Sequence, residues 1–261
     1  MGRNEPHKAG STYTDVLSGA TASALGLVST GGSDGGIVAA TFQPVIKRGL
    51  NNILEFVNSL TGRQQKRAAT AIEVAMAHFV KRIEAEDDIR DDGFFDFVDE
   101  RTPFEELLEA VTTKCRDQYQ QKKARHIACI LANACFVNSS PAGIISVIEA
   151  ADRLTFRQFC YLELFHHGDW DLRAYDFLNQ GRELLKEEER FLAIQECYDL
   201  NVQGLIEQRP PNVSGFGKIS HPYAVKPRFL KLTAMGNLTR ELLDLKTLEP
   251  EDLIKSAEWL K

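Results

Sequence analysis

The chain has 261 residues, enough for one large core or two modest ones, because single hydrophobic cores stop growing at roughly 250 to 300 residues. Its 31 Lys and Arg against 37 Asp and Glu give a net charge of -6, which removes any global reason to hold nucleic acid or an anionic membrane and confines such contacts to local patches. Five cysteines (Cys115, Cys129, Cys135, Cys160, Cys197) lie in apolar helical patterns without a C-x-x-C pair, so they read as buried, reduced thiols and exclude a disulfide framework or a zinc-finger spacing.

Met1 to Tyr13 is polar and lacks the charged-then-apolar order of a secretory signal, so a cytoplasmic setting is expected, with a peripheral position at the inner membrane as a variant. Residues 1–15 are expected to form a flexible lead. Residues 16–46 carry Asp34 as their only charge. Two small-residue segments there, Val16 to Ser29 and Gly36 to Ile46, flank GGSDGG, whose glycines permit positive φ, and the pattern predicts a helical hairpin. Gly19 with Ser23, Ala20 with Ala24 and Ala22 with Gly26 place small residues on one helical face, where two backbones approach closely. Gly19, Ala20, Ser23, Ala24, Leu25 and Gly26, with Ile37 and Val38 on the second arm, are therefore the candidates for contact with lipid or with a second copy. Each arm is shorter than the roughly 20 apolar residues of a membrane span and Pro44 interrupts the second, so lipid entry would require oligomerisation. A hairpin packed permanently on the rest of the chain is the competing expectation.

A helical bundle is expected over residues 47–168. Ala69, Ile72, Ala75, Met76, Phe79, Val80 and Ile83 follow the 3.6-residue period and predict a helix from Arg63 to Glu86. Thr102-Pro103-Phe104-Glu105 supplies a cap, a proline at the first helical position and a capping box, and predicts a helix running towards Tyr119. Ala124 to Cys135 forms another, Ser140-Pro141 opens the next, and Thr155 with Gln158 forms a second capping box ahead of Phe159, Leu162 and Phe165. Residues 169–261 are expected to be a separate module. A helix over Glu187 to Leu200, a strand at Gly204 to Gln208, a Pro/Gly-rich excursion, a strand at Arg228 to Thr233 and a helix capped by Thr233 match the closing parts of a winged-helix fold. Pro250 starts a final helix. The fold class expected is mainly α: a helical bundle with a C-terminal winged-helix-like module carrying a short β wing.

Three constellations have chemical readings. Glu84 to Glu109 holds twelve carboxylates against Arg90 and Arg101. Aligned on Gly93 as a calcium loop, it puts Asp88, Asp92, Asp96 and Asp99 at the first, fifth, ninth and twelfth positions, but Arg90 at the third, where an oxygen ligand belongs. The competing reading is an acidic loop anchored by Phe94, Phe95 and Phe97. His166-His167-Gly168-Asp169 offers metal-ligand types, yet adjacent histidines point about 100° apart on a helix, and a helix end capped by Gly168 accounts for them. No nucleophile-elbow, zincin, Walker or dinucleotide glycine motif occurs. Cys115 with His126 and Cys160 with His166 are the only nucleophile–base pairs to consider, so no catalytic, cofactor or metal residue is assigned and an enzyme is not expected.

Basic residues gather in windows: Lys47, Arg48, Arg63, Lys66, Arg67, Lys81 and Arg82, then Lys114, Arg116, Lys122, Lys123 and Arg125. They are solvated helix faces or contacts for phosphate and acidic headgroups. The helix at the recognition position of the winged-helix-like module carries Glu187, Glu188, Glu189, Glu196 and Asp199, which phosphates would repel. Protein docking is thus expected there, unless Lys218, His221, Lys226 and Arg228 of the wing bind alone. Lys47, Arg48, Lys218, Lys226 and Arg228 form the candidate basic patch.

GATASALGLVSTGGSDGG, IRDDGFFDF, KKARHIACILANACF, and LTFRQFCYLELF ahead of a GLI…LT…G end follow one another in an order that resembles the abortive-infection alpha-type proteins of bacteria, which are associated with phage defence. The resemblance implies a bacterial origin and a part in defence or stress response, and it carries over no site residues. The expected function is a non-enzymatic protein that binds another protein or itself through its helical and winged-helix-like body, with lipid contact through the hairpin. The alternative is a soluble adaptor or nucleic-acid-associated regulator using the wing and basic patches.

Overall fold

The computed structural model describes residues 35–168, 170–172, 188–209 and 219–261, with side chains left aside at 35–43, 50 and 54. Chain contacts divide it into two units, Met1–Ile148 and Glu149–Lys261, so the division falls at 148/149, while the sequence pattern placed one at 168/169. The described residues are mainly helical.

The first unit begins with α1 (Gly35–Ser59), which runs unbroken through Pro44 and past Lys47-Arg48. The expectation of a hairpin arm closing at Ile46 is corrected here. Ile46, Ile53 and Val57 are buried at helical spacing, and that stripe carries the helix through the polar pairs Lys47-Arg48 and Asn51-Asn52, which hid it in the sequence. Gly49 lies on the same stripe, where a Cβ would stand 3.2 Å from Phe104 and 3.3 Å from Leu108, so glycine sets how closely α1 approaches the next layer.

α2 (Gly62–Glu84) buries Ala68, Ala69, Ile72, Ala75, Met76 and Phe79. Its small residues let α4 (Gln121–Asn133) pack closely along it, and α3 (Pro103–Asp117) lies against both. The predicted box at Thr102 forms. Glu105 N–H donates to Thr102 Oγ1 at 3.2 Å and Thr102 N–H donates to Glu105 Oε2 at 3.0 Å. The same carboxylate accepts from Arg48 Nε at 2.7 Å, so the cap of α3 also ties down α1. α5 (Pro141–Arg153) opens with Gly143 N–H donating to Ser140 Oγ at 3.1 Å, and the division between units falls within it.

In the second unit α6 (Phe156–His167) starts at the Thr155–Gln158 box and ends at Gly168, whose φ of 68° is the left-handed conformation that favours glycine. Phe159, Cys160, Tyr161, Leu162, Leu164 and Phe165 are buried in sequence, as befits a helix covered on all sides. α7 (Glu188–Val202) leads into β1 (Ile206–Gln208), which pairs antiparallel with β2 (Leu230–Leu232), Ile206 facing Leu232 and Gln208 facing Leu230. The second strand is shorter than the sequence pattern because Pro227, which has no N–H for the ladder, opens a 3₁₀ turn over Pro227–Phe229. α8 (Ala234–Leu242) follows at once, its Thr233 Oγ1 accepting from Gly236 N–H at 3.0 Å, and α9 (Pro250–Glu258) closes the unit against α6. A Cβ on Gly236 would sit 1.9 Å from the Leu205 carbonyl oxygen, so only glycine admits this crossing. No helix among the described residues is long and apolar enough to cross a membrane.

Candidate functional site

The basic windows sort into two kinds when each cation's surroundings are followed. Arg48 is engaged by Glu105 and lies 4.2 Å over the Phe97 ring. Arg82 donates to Asp87 at 2.6 Å and sits 4.4 Å over Phe136. Arg116 holds Asp117 at 2.8 Å. Each is paired with a carboxylate, and the Arg48 pair ties α1 to α3. Lys47 remains exposed.

Arg63, Lys66 and Arg67 differ. With Thr70 and Val74 they recur at the helical period on one face of α2 and line a pocket of about 230 Å³. Gln118 and Tyr119 from the α3–α4 connection close one side, and Gln121, Ala124 and Arg125 on the first turns of α4 close another. Ala71, Val74 and Ala124 give it an apolar lining, and Tyr119 stands 79% exposed. No carboxylate among the described residues lines the pocket. Among the described residues Arg63, Lys66, Arg67 and Arg125 make no ion pair or side-chain hydrogen bond. The N-cap residue of α4, Gln120, makes no side-chain cap, so the positive end of the helix dipole adds to the field. Gathering cations this way costs Coulomb energy, which an anion in the pocket would reverse. The i, i+3, i+4, i+7 spacing of Arg63, Lys66, Arg67 and Thr70 was the legible signal. Its meeting with Arg125 and Tyr119 was not legible, because it depends on how α2 packs against α4.

The other candidates resolve differently. Arg90 is buried at the centre of the acidic loop, taking Asp92 with both arms, donating to the Ser139 carbonyl at 2.7 Å and lying 4.6 Å over Phe94. Its guanidinium holds the Asp92 carboxyl below the usual range against the opposing effect of desolvation. The loop is an arginine clamp, with a cation where calcium would need a ligand. Phe94 and Phe95 are buried as anchors, whereas Phe97 is 55% exposed and serves as the platform under Arg48. His167 Nε2 lies 2.8 Å from Glu163 Oε1 at the end of α6, matching the helix-end reading, and Asp169 is outside the described residues.

Three of the five thiols are poor nucleophiles. Burial raises Cys115 and Cys197 far above the ordinary thiol and pushes Cys135 up to about 12. Cys115 Sγ–H donates to the Ala124 carbonyl at 3.4 Å, while Cys160 is buried and His166 exposed.

In the second unit Arg157 of α6 takes Glu189 at 2.6 Å and Glu196 of α7, and Glu196 also accepts from Thr155 Oγ1 at 2.8 Å. Two of the acidic residues expected to repel a phosphate backbone are therefore turned onto α6. Lys226 is half-buried with its N–H donating to Gln208 Oε1 at 2.7 Å, and Arg228 is exposed. Gly19, Ala20, Ser23, Ala24, Leu25, Gly26 and Lys218 lie outside the described residues, and Ile37 and Val38 lie in α1, where their side chains are left aside.

No protein-family model matches the sequence, and neither a curated protein nor a solved structure matches it.

Proposed function

We propose that this chain is a non-enzymatic bacterial defence or stress protein that acts by binding: its first unit takes a phosphate-bearing anion in the pocket between α2 and α4, and its winged-helix-like second unit docks another protein. The observation that carries this reading is the convergence of Arg63, Lys66, Arg67 and Arg125, without a carboxylate among them, on one concavity in a chain of net charge -6. Cations left without partners inside an acidic protein are explained by a ligand that supplies the missing charge. The buried, protonated thiols support binding over covalent chemistry. On α7, the engagement of Glu189 and Glu196 by Arg157 favours protein docking over entry into a DNA groove, since this helix is tied to α6. The defence setting rests on the order of the sequence motifs, and self-association or lipid contact through residues 16–46 belongs to the same proposal.

Calorimetric titration of the full chain with sodium tripolyphosphate at low ionic strength tests it. Saturable binding that weakens with added salt and disappears in Arg67→Ala/Arg125→Ala is expected. Absence of heat at low salt contradicts it.

A further inference from the structure

We infer that the ligand of the α2–α4 pocket is a nucleoside polyphosphate, its phosphates among the cations and its base stacked on Tyr119. The inference rests on the anion-binding reading above and names the chemistry that would fill the site.

Size gives the first argument. At about 230 Å³ the pocket has room for much more than a single water or simple ion. It is smaller than the roughly 300 to 1,000 Å³ of pockets that enclose a whole organic ligand. The ligand is thus one with a compact charged part inside and a larger part at the rim.

The rim carries the second argument. Tyr119 lines the cationic pocket and is 79% exposed, so its ring is open to a flat ligand. Bases stack on such rings irrespective of sequence, and neighbouring guanidinium groups add cation–π attraction. Gln121 and Thr70, also lining the pocket, supply donors and acceptors for a sugar or a base edge.

Charge sets the phosphate number and disfavours a strand. Arg63, Lys66, Arg67 and Arg125 match two or more phosphate groups better than one. Outside the pocket Arg116 is paired with Asp117 and Arg82 with Asp87, so these two cations are not offered to a nucleic-acid backbone. Among the described residues the pocket offers no carboxylate to a bridging magnesium ion, so binding is expected in EDTA.

The test compares ATP, GTP, sodium tripolyphosphate, ribose 5-phosphate and a twelve-nucleotide oligothymidylate on the full chain by calorimetry in EDTA. One or both nucleotides should bind about ten-fold tighter than tripolyphosphate. Tyr119→Ala should erase that margin, Tyr119→Phe should retain it, and Arg67→Ala/Arg125→Ala should lose both ligands. Tripolyphosphate binding as tightly as either nucleotide, or a margin indifferent to Tyr119→Ala, overturns the inference while leaving the anion site standing. Tighter binding of the oligonucleotide overturns it in favour of a strand. No binding of tripolyphosphate overturns both readings.

Discussion

In the second unit, Arg157 is held between Glu189 and Glu196, and Arg240 donates to both oxygens of Glu163 at 2.7 and 3.0 Å, with His167 against the same carboxylate. In the first unit Arg63, Lys66, Arg67 and Arg125 line a cavity to which no acid among the described residues contributes. Both sets arise on amphipathic helices of one acidic chain, so composition does not separate them. The partner does. Where a carboxylate arrives from another helix, the arginine clamps helices together and its loss is a stability defect. Where none arrives, removing the arginine relieves repulsion, and the defect is one of binding.

The largest expected effect breaks or confirms the structural half. Glu163 is 2% exposed and of its Arg240 and His167 contacts would keep only the latter after Arg240→Ala, which should cost about 3 kcal/mol in urea unfolding. Arg67→Ala should stay within about 0.5 kcal/mol of the parent without ligand, and an equal loss at both positions would erase the distinction. Next, Gly236→Ala forces a Cβ onto the Leu205 carbonyl and should cost about 1 to 3 kcal/mol by the same assay. Thr102→Ala removes a buried cap and should cost about 1 kcal/mol.

The smallest effect concerns pH. Hydrogen bonds from Arg48 hold the Glu105 carboxyl below its ordinary 4.5 despite the opposing effect of desolvation. A carboxyl lowered in the folded state stabilises fully above that ordinary value, and the contribution fades as pH falls through the folded one. Urea midpoints measured from pH 7 to pH 3 should therefore fall less steeply in Glu105→Gln than in the parent. Parallel profiles would show that the Arg48–Glu105 pair contributes nothing to acid sensitivity.

Local chemistry made much of the fold legible. Thr102 with Glu105, Thr155 with Gln158, Thr233 and Pro250 each open a helix where the sequence pattern puts one, because caps act over three or four residues. The continuation of α1 past Ile46 was not legible, since Pro44, Lys47-Arg48 and Asn51-Asn52 read as a break and only burial of Ile53 and Val57 against the bundle outweighs them. Phe97 shows the same limit: it lies near Phe94 and Phe95 in sequence yet faces Arg48 in place of the core. Of the pocket, the α2 stripe was visible, but Tyr119 and Arg125 join it through packing between residues separated by about fifty positions, beyond the reach of periodicity.

The anion site is tested most directly by thermal unfolding of the full chain and of Arg67→Ala/Arg125→Ala, each with and without sodium tripolyphosphate at low ionic strength. A ligand that binds only the folded state raises the midpoint with concentration. The parent should show that rise, and the double variant should start at an equal or slightly higher midpoint and show none. The same rise in both proteins, or none in the parent, would contradict the assignment.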